Sequence, residues 1–248
     1  MRRITLMTEP LTPIKLLAAC AVVTIGSALQ GSVGFGSALV AAPILVLINP
    51  SLVPGPLLLC SLVLTGLMSY RERQAMDVSG LKWGLVGRLP GTLVAVVVLT
   101  NVPKKELMLT LGAFVLFATA LSASGLHLNL TMWTLLSAGA LSGFMGTISS
   151  IGGPPMALLY QNAPGARLRS TLSGYFALGT IMSLLALVAV GRFGRDEFWS
   201  ALVLLPGVAI GFILSARTRQ LFDRGYTRAA VLTISAVSGA MVILRELL

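Results

Sequence analysis

Two stretches of the chain, residues 13–49 and 131–162, are too long to cross a membrane once as ordinary helices and too apolar to lie outside one. As a continuous helix each would extend roughly 50 Å, at about 1.5 Å per residue, against a hydrocarbon core of about 30 Å. Each also holds a glycine- and proline-rich interruption. The first is Gly31-Ser32-Val33-Gly34-Phe35-Gly36-Ser37, followed by Pro43; the second is Ser149-Ser150-Ile151-Gly152-Gly153-Pro154-Pro155-Met156. Glycine frees the backbone and proline removes a helical donor, so each stretch is expected to be a hairpin of two helices or half-helices that meet at the break and return to the side they left.

The rest of the chain supports a polytopic membrane protein. Of its 248 residues, 56% are hydrophobic and 10% charged, where a soluble domain carries about 25% charged residues, and the mean hydropathy is +0.91. Six further runs can each span a bilayer: 52–70, 83–100 and 106–124 in the first half, and 170–190, 198–215 and 227–244 in the second. The start, Met1-Arg2-Arg3 before an apolar run, has the look of a signal peptide, but its continuity with the first break makes it a retained first helix.

The two halves match. At an offset of 112 the pairs Gly31/Gly143, Gly34/Gly146, Ser37/Ser149 and Pro43/Pro155 coincide, and at 116 the pairs Trp83/Trp199, Pro90/Pro206 and Gly91/Gly207. Residues 1–125 and 126–248 are therefore expected to be repeats, each a hairpin plus three spans. A hairpin that returns to its own side, followed by three crossings, leaves each half on the opposite side, so the repeats are expected to be inverted. Interrupted apolar segments at matching places of two such halves point to a transporter's binding site.

A net charge of +10 would suggest nucleic acid in a soluble protein. Here the positive charge sits in the polar gaps between runs, where it meets anionic headgroups, and it is nearly balanced between the two sides. Arg88 is the exception, six residues into its run and just before Leu89-Pro90-Gly91. Two readings stand for it: a charge facing the protein interior as part of a site, or a side chain snorkelling to the near interface. Its repeat equivalent is Leu204. Cys20 and Cys60 lie in apolar runs without CxxC spacing, and His127 lies alone in a polar gap, so no metal, disulfide or redox motif is read from them.

Within the breaks the side chains are neutral. The expected binding set is the backbone and hydroxyls of Gly34, Phe35, Gly36, Ser37, Ser149, Ser150, Gly152 and Gly153, with Arg88, and the expected hinges are Gly31, Pro43, Gly143, Gly146, Pro154 and Pro155. Freed N–H groups and the positive ends of half-helices suit an anion, and the absence of Asp and Glu from the breaks counts against a carboxylate proton relay there. Close helix packing through small residues is the competing explanation for the glycines.

Gly34-Phe35-Gly36-Ser37-Ala38-Leu39-Val40-Ala41-Ala42-Pro43, Ser142-Gly143-Phe144-Met145-Gly146 with Ile151-Gly152-Gly153-Pro154-Pro155, Arg169-Ser170-Thr171 and Tyr175-Phe176 resemble the sulfite exporter TauE/SafE family of membrane transporters over nearly the whole chain. The resemblance implies movement of sulfur-containing or organic anions such as sulfite, sulfoacetate and other sulfonates. The expected partners are thus a small anion, the lipid bilayer and a coupling ion, proton or sodium; nucleic acid and cofactors are not among them. No nucleotide-binding GxxxxGK[ST] pattern occurs. An integral protein of the bacterial inner membrane, not an enzyme, is expected; a passive anion channel and a polytopic membrane enzyme are the alternatives.

Overall fold

The computed structural model describes residues 12–126, 128–222 and 226–247, and His127 lies outside them. Among the described residues every regular element is helical: α1 (Pro13–Val33), α2 (Ser37–Ile48), α3 (Gly55–Glu72), α4 (Val78–Asn101), α5 (Lys104–Ala123), α6 (Met132–Ser149), α7 (Gly153–Tyr160), α8 (Gly165–Ala189), α9 (Arg195–Phe222) and α10 (Tyr226–Leu247). Five of them, α1, α4, α5, α8 and α9, are long and apolar enough to cross a membrane. Both long stretches are hairpins, α1–α2 and α6–α7.

Local chemistry sets the ends. Thr12 accepts from Lys15 N–H and Pro13 opens α1, while Thr131 and Thr134 form a reciprocal capping box on α6. Asp77 caps α4 by accepting from Gly80 N–H at 3.1 Å. The α4 helix therefore begins five residues before the apolar run, because Ser79, Gly80 and Lys82 disguise its first turn in the sequence.

Apolar side chains face outward as well as inward. On α4 the outer stripe Leu89, Leu93 and Val97 is 52%, 65% and 60% exposed, a spacing of one helical turn that suits contact with lipid tails. Inward packing uses small residues. On α4, Gly87 and Gly91 sit directly on the Leu136 and Ala140 carbonyls of α6; on α9, Gly207 and Gly211 sit on the Cys20 and Thr24 carbonyls of α1. Close backbone approach of this kind is how apolar helices associate where lipid is as apolar as leucine.

The principal helix pairings are α4 with α6, α1 with α9, α3 with α8 and α5 with α10. The register of the breaks differs from the glycine alignment. Val33 to Ser149 and Ser37 to Gly153 are each 116 positions apart, the offset of the Trp83/Trp199 set. The glycine-rich alignment at 112 is displaced by four residues, about one turn, which keeps the same helix face. A stripe of small residues spaced by a turn matches at either offset, and only the helix ends decide between them.

Candidate functional site

The breaks fall at Gly34-Phe35-Gly36 and Ser150-Ile151-Gly152. Gly34 ends α1 at φ +105° and its N–H donates to Gln30 O at 2.7 Å; Gly36 precedes α2 at φ +107°. A side chain is strained in that left-handed region. Ser150 ends α6 at φ +65°, which is uncommon for a residue other than glycine. The expected hinges Gly31, Gly143 and Gly146 are not breaks. They lie inside α1 and α6, where a Cβ would collide with the Ser215 side chain, overlap the Arg88 carbonyl and sit 3.1 Å from Arg88 Nη2 respectively, so their role is close packing. Pro43 lies within α2, and Pro154 and Pro155 occupy the first turn of α7, where proline is tolerated.

The hairpin tips meet. A Cβ on Gly153 would lie 3.4 Å from Phe35 Cβ. Between the tips is a cavity of about 30 Å³, lined by Gln30, Gly36, Ser37, Ala38 and Leu39 from the first hairpin, by Gly146 and Ser150 to Pro154 from the second, and by Arg88, Leu58, Ser61, Phe176 and Thr180. It has room for about two waters, too little for a group with three oxygens, so the hairpins must part to admit one. The expected site residues Gly36, Ser37, Ser150, Gly152, Gly153 and Arg88 line this cavity; Gly34, Phe35 and Ser149 do not. Gly34 is held against Leu168 and Arg169, and Phe35 packs into the apolar cluster around Tyr175 and Phe176.

None of the three expected serine donors is free. Ser37 Oγ donates to Gln30 Oε1, Ser149 Oγ to Met145 O at 2.8 Å and Ser150 Oγ to Pro54 O at 3.1 Å. A hydroxyl carries one proton, so in this conformation each is committed to the fold.

Arg88 decides between its two readings. It stands ten residues, about 15 Å, into α4 and is 2% exposed. Nε donates to Gly179 O at 3.1 Å, Nη1 to Ser142 Oγ at 3.2 Å and Tyr175 OH at 3.4 Å, and Nη2 to Ser183 Oγ at 3.2 Å. The Tyr175 ring lies 5.4 Å away under the guanidinium. Snorkelling is excluded. No carboxylate among the described residues pairs with it. Ser142 also donates to Gly152 O at 2.6 Å, tying the guanidinium to the second break. This cradle went unread in the sequence, where Tyr175 stood only among the residues that carry the family resemblance. Its signal was there, since Tyr175, Gly179 and Ser183 recur every fourth residue on one face of α8. Gly179 has to be small, because a Cβ there would lie 2.5 Å from Arg88 Nε.

Outside the inner cavity, at one end of the bundle, lies a wider one of about 520 Å³ whose lining includes Lys15, Asn49, Pro54, Ile148, Arg192, Glu197 and Arg245. The Ser150–Pro54 bond is part of the wall between the two, since Ser150 lines the inner cavity and Pro54 the outer. At the opposite end ion pairs join the α3–α4 junction to the start of α8, Arg169 Nε to Glu72 at 2.9 Å and Arg167 Nη2 to Asp77 at 3.0 Å, beside a further cavity of about 510 Å³ whose lining includes Arg71, Glu72, Gln74 and Arg169. Tyr160, the last residue of α7, donates to Asp77 at 3.2 Å, and Arg71 donates to Gly31 O at 2.9 Å, so both hairpins are tied in at this end. Partial burial disfavours the charged form of Asp77, but bonds from Gly80 N–H, Arg167 and Tyr160 outweigh it and hold the carboxyl below its ordinary value.

A family model described as "Sulfite exporter TauE/SafE" matches residues 18–242. No match was found among curated proteins or among solved structures.

Proposed function

The chain belongs to the sulfite exporter TauE/SafE family, and from that membership we propose that it is a secondary transporter of small sulfur-containing or organic anions, sulfite or an organosulfonate such as sulfoacetate, working by alternating access around the cavity between the two broken hairpins. The observation that carries this reading is Arg88: a guanidinium 2% exposed, without a carboxylate partner among the described residues, in the lining of a cavity at the tips of both hairpins. Burying a charge without a counter-ion costs of the order of several kcal/mol, and an anion that enters and leaves is a partner that offsets it in turn.

The arrangement of helices supports the transport mechanism. Exchanging α1 with α6, α3 with α8, α4 with α9 and α5 with α10 converts the pairing α4–α6 into α9–α1 and leaves α3–α8 and α5–α10 unchanged. Two repeats related by such an exchange can rock against each other about a shared site.

Uptake into liposomes containing the purified protein tests the proposal, with a panel of sulfite, thiosulfate, sulfoacetate, taurine and plain carboxylates. Saturable flux of sulfite or a sulfonate, accelerated by the same anion on the far side, is expected. Flux that never saturates and follows the membrane potential would establish a channel instead.

A further inference from the structure

Resting on that reading, we propose that the two halves of the site hold the anion unequally: the first turn of α2 and the Gln30 amide bind it from one side, and Arg88 replaces, on the other, the donors that Pro154 and Pro155 have removed. At the 116-residue register of the helix ends, Ser37, Ala38 and Leu39 correspond to Gly153, Pro154 and Pro155. The first hairpin thus offers three backbone N–H groups at its N-terminal turn and the second offers one, because proline has none. Ser37 N–H is taken by Gln30 Oε1 at 3.2 Å. The Ala38 and Leu39 N–H groups bond no acceptor among the described residues, and both residues line the cavity. They sit at the positive end of a twelve-residue helix.

Gln30 points to a ligand independently of the helix end. It is 4% exposed and lines the cavity. Its Oε1 accepts from both Ser37 N–H and Ser37 Oγ, and because a backbone N–H can only donate, the atom facing it is the oxygen. The amide NH₂ is therefore the other atom, and it donates to no protein group among the described residues. On the opposite wall, four of the five guanidinium N–H groups of Arg88 are taken by Gly179, Ser142, Tyr175 and Ser183, which leaves one on Nη2. Nη2 is the atom that approaches Gly146, beside the second break. The repeat equivalent of Arg88 is the fully buried Leu204. Charge, supplied by the first repeat, stands beside the hairpin that lacks backbone donors, and the equivalent residue of the second repeat is apolar. These donors line one cavity, where the three oxygens of a sulfo or sulfite head can meet more of them at once than the two of a carboxylate.

Sulfite affinity of the purified protein, read by calorimetry with melting temperature beside it, tests this. Gln30→Glu keeps an acceptor for Ser37 and removes the donor; Gln30→Met removes both and adds no charge. Affinity is expected to fall about tenfold or more in each, the loss associated with a hydrogen bond to a charged group, while the melting temperature falls only in Gln30→Met. A fall in both variants can be put down neither to repulsion nor to loss of the cap. Arg88→Leu is expected to abolish binding, and adding Pro154→Ala with Pro155→Ala to it should restore a measurable part. Unchanged affinity in either Gln30 variant, or a triple variant no better than Arg88→Leu, overturns the inference while leaving transport intact. A native protein that binds no sulfite but transports another anion overturns the head-group assignment, and one that does neither overturns the functional reading itself.

Discussion

The residues at the first break separate two costs that glycine avoids. Gly36 sits at φ +107° with its nearest neighbour, a Leu29 methyl, 3.6 Å from a built Cβ, whereas Gly34 at φ +105° would set a Cβ 2.9 Å from Leu168 and 3.2 Å from the Arg169 backbone. Gly36→Ala is expected to lose only the left-handed penalty, about 1–2 kcal/mol, and Gly34→Ala distinctly more. Thermal unfolding in detergent reads the order, and equal losses would show that Leu168 and Arg169 give way. At this scale the sequence was informative about backbone and silent about the partners of side chains. Glycine and proline announce a break wherever they cluster, so both tips were legible to within a few residues. Whether a serine hydroxyl is spent depends on which carbonyl the fold brings beside it, Met145 O for Ser149 and Pro54 O for Ser150, and the second of these lies far away in the chain.

Among the elements, glycine has two opposite meanings that packing alone distinguishes. On α3, Gly66 would place a Cβ in open space; on α4, Gly91 would drive one into the Ala140 carbonyl of α6. Gly66→Ala is expected to leave stability unchanged or raise it by up to ~1 kcal/mol through helix propensity, and Gly91→Ala to lower it and loosen the α4–α6 pair. Melting temperatures of the two variants check this, and a stabilised Gly91→Ala would contradict the contact. The all-helical, membrane-spanning character was readable from apolar length. The depth of Arg88 was not, because the polar first turn of α4 conceals where the helix starts. Six residues into an apolar run allowed snorkelling; ten into a helix, under Tyr175 and Gly179, does not.

For the whole molecule, the ion-paired end ties α8 to the α3–α4 junction through Asp77 and Glu72. Asp77 has its carboxyl held below the ordinary value near 3.9. A depressed carboxylate contributes stability at pH values above the unfolded value and loses it as pH falls through the folded one. Asp77→Asn is therefore expected to melt earlier than the native protein at neutral pH, and the gap should close only at pH below about 3.9. A gap that survives deeper acid would mean that the carboxylate charge is not what holds this end.

The proposed anion site lies between the first turn of α2 and Arg88, at the meeting of two hairpin tips 116 residues apart. Selenite has the shape of sulfite and scatters anomalously, so the position of its selenium in crystals of the protein reads the site directly. A selenium peak is expected within hydrogen-bonding reach of Gln30, the α2 N-terminus and Arg88, with the tips moved apart to admit it. A peak confined to the outer cavity lined by Lys15, Arg192 and Arg245, with the inner cavity closed, would contradict it.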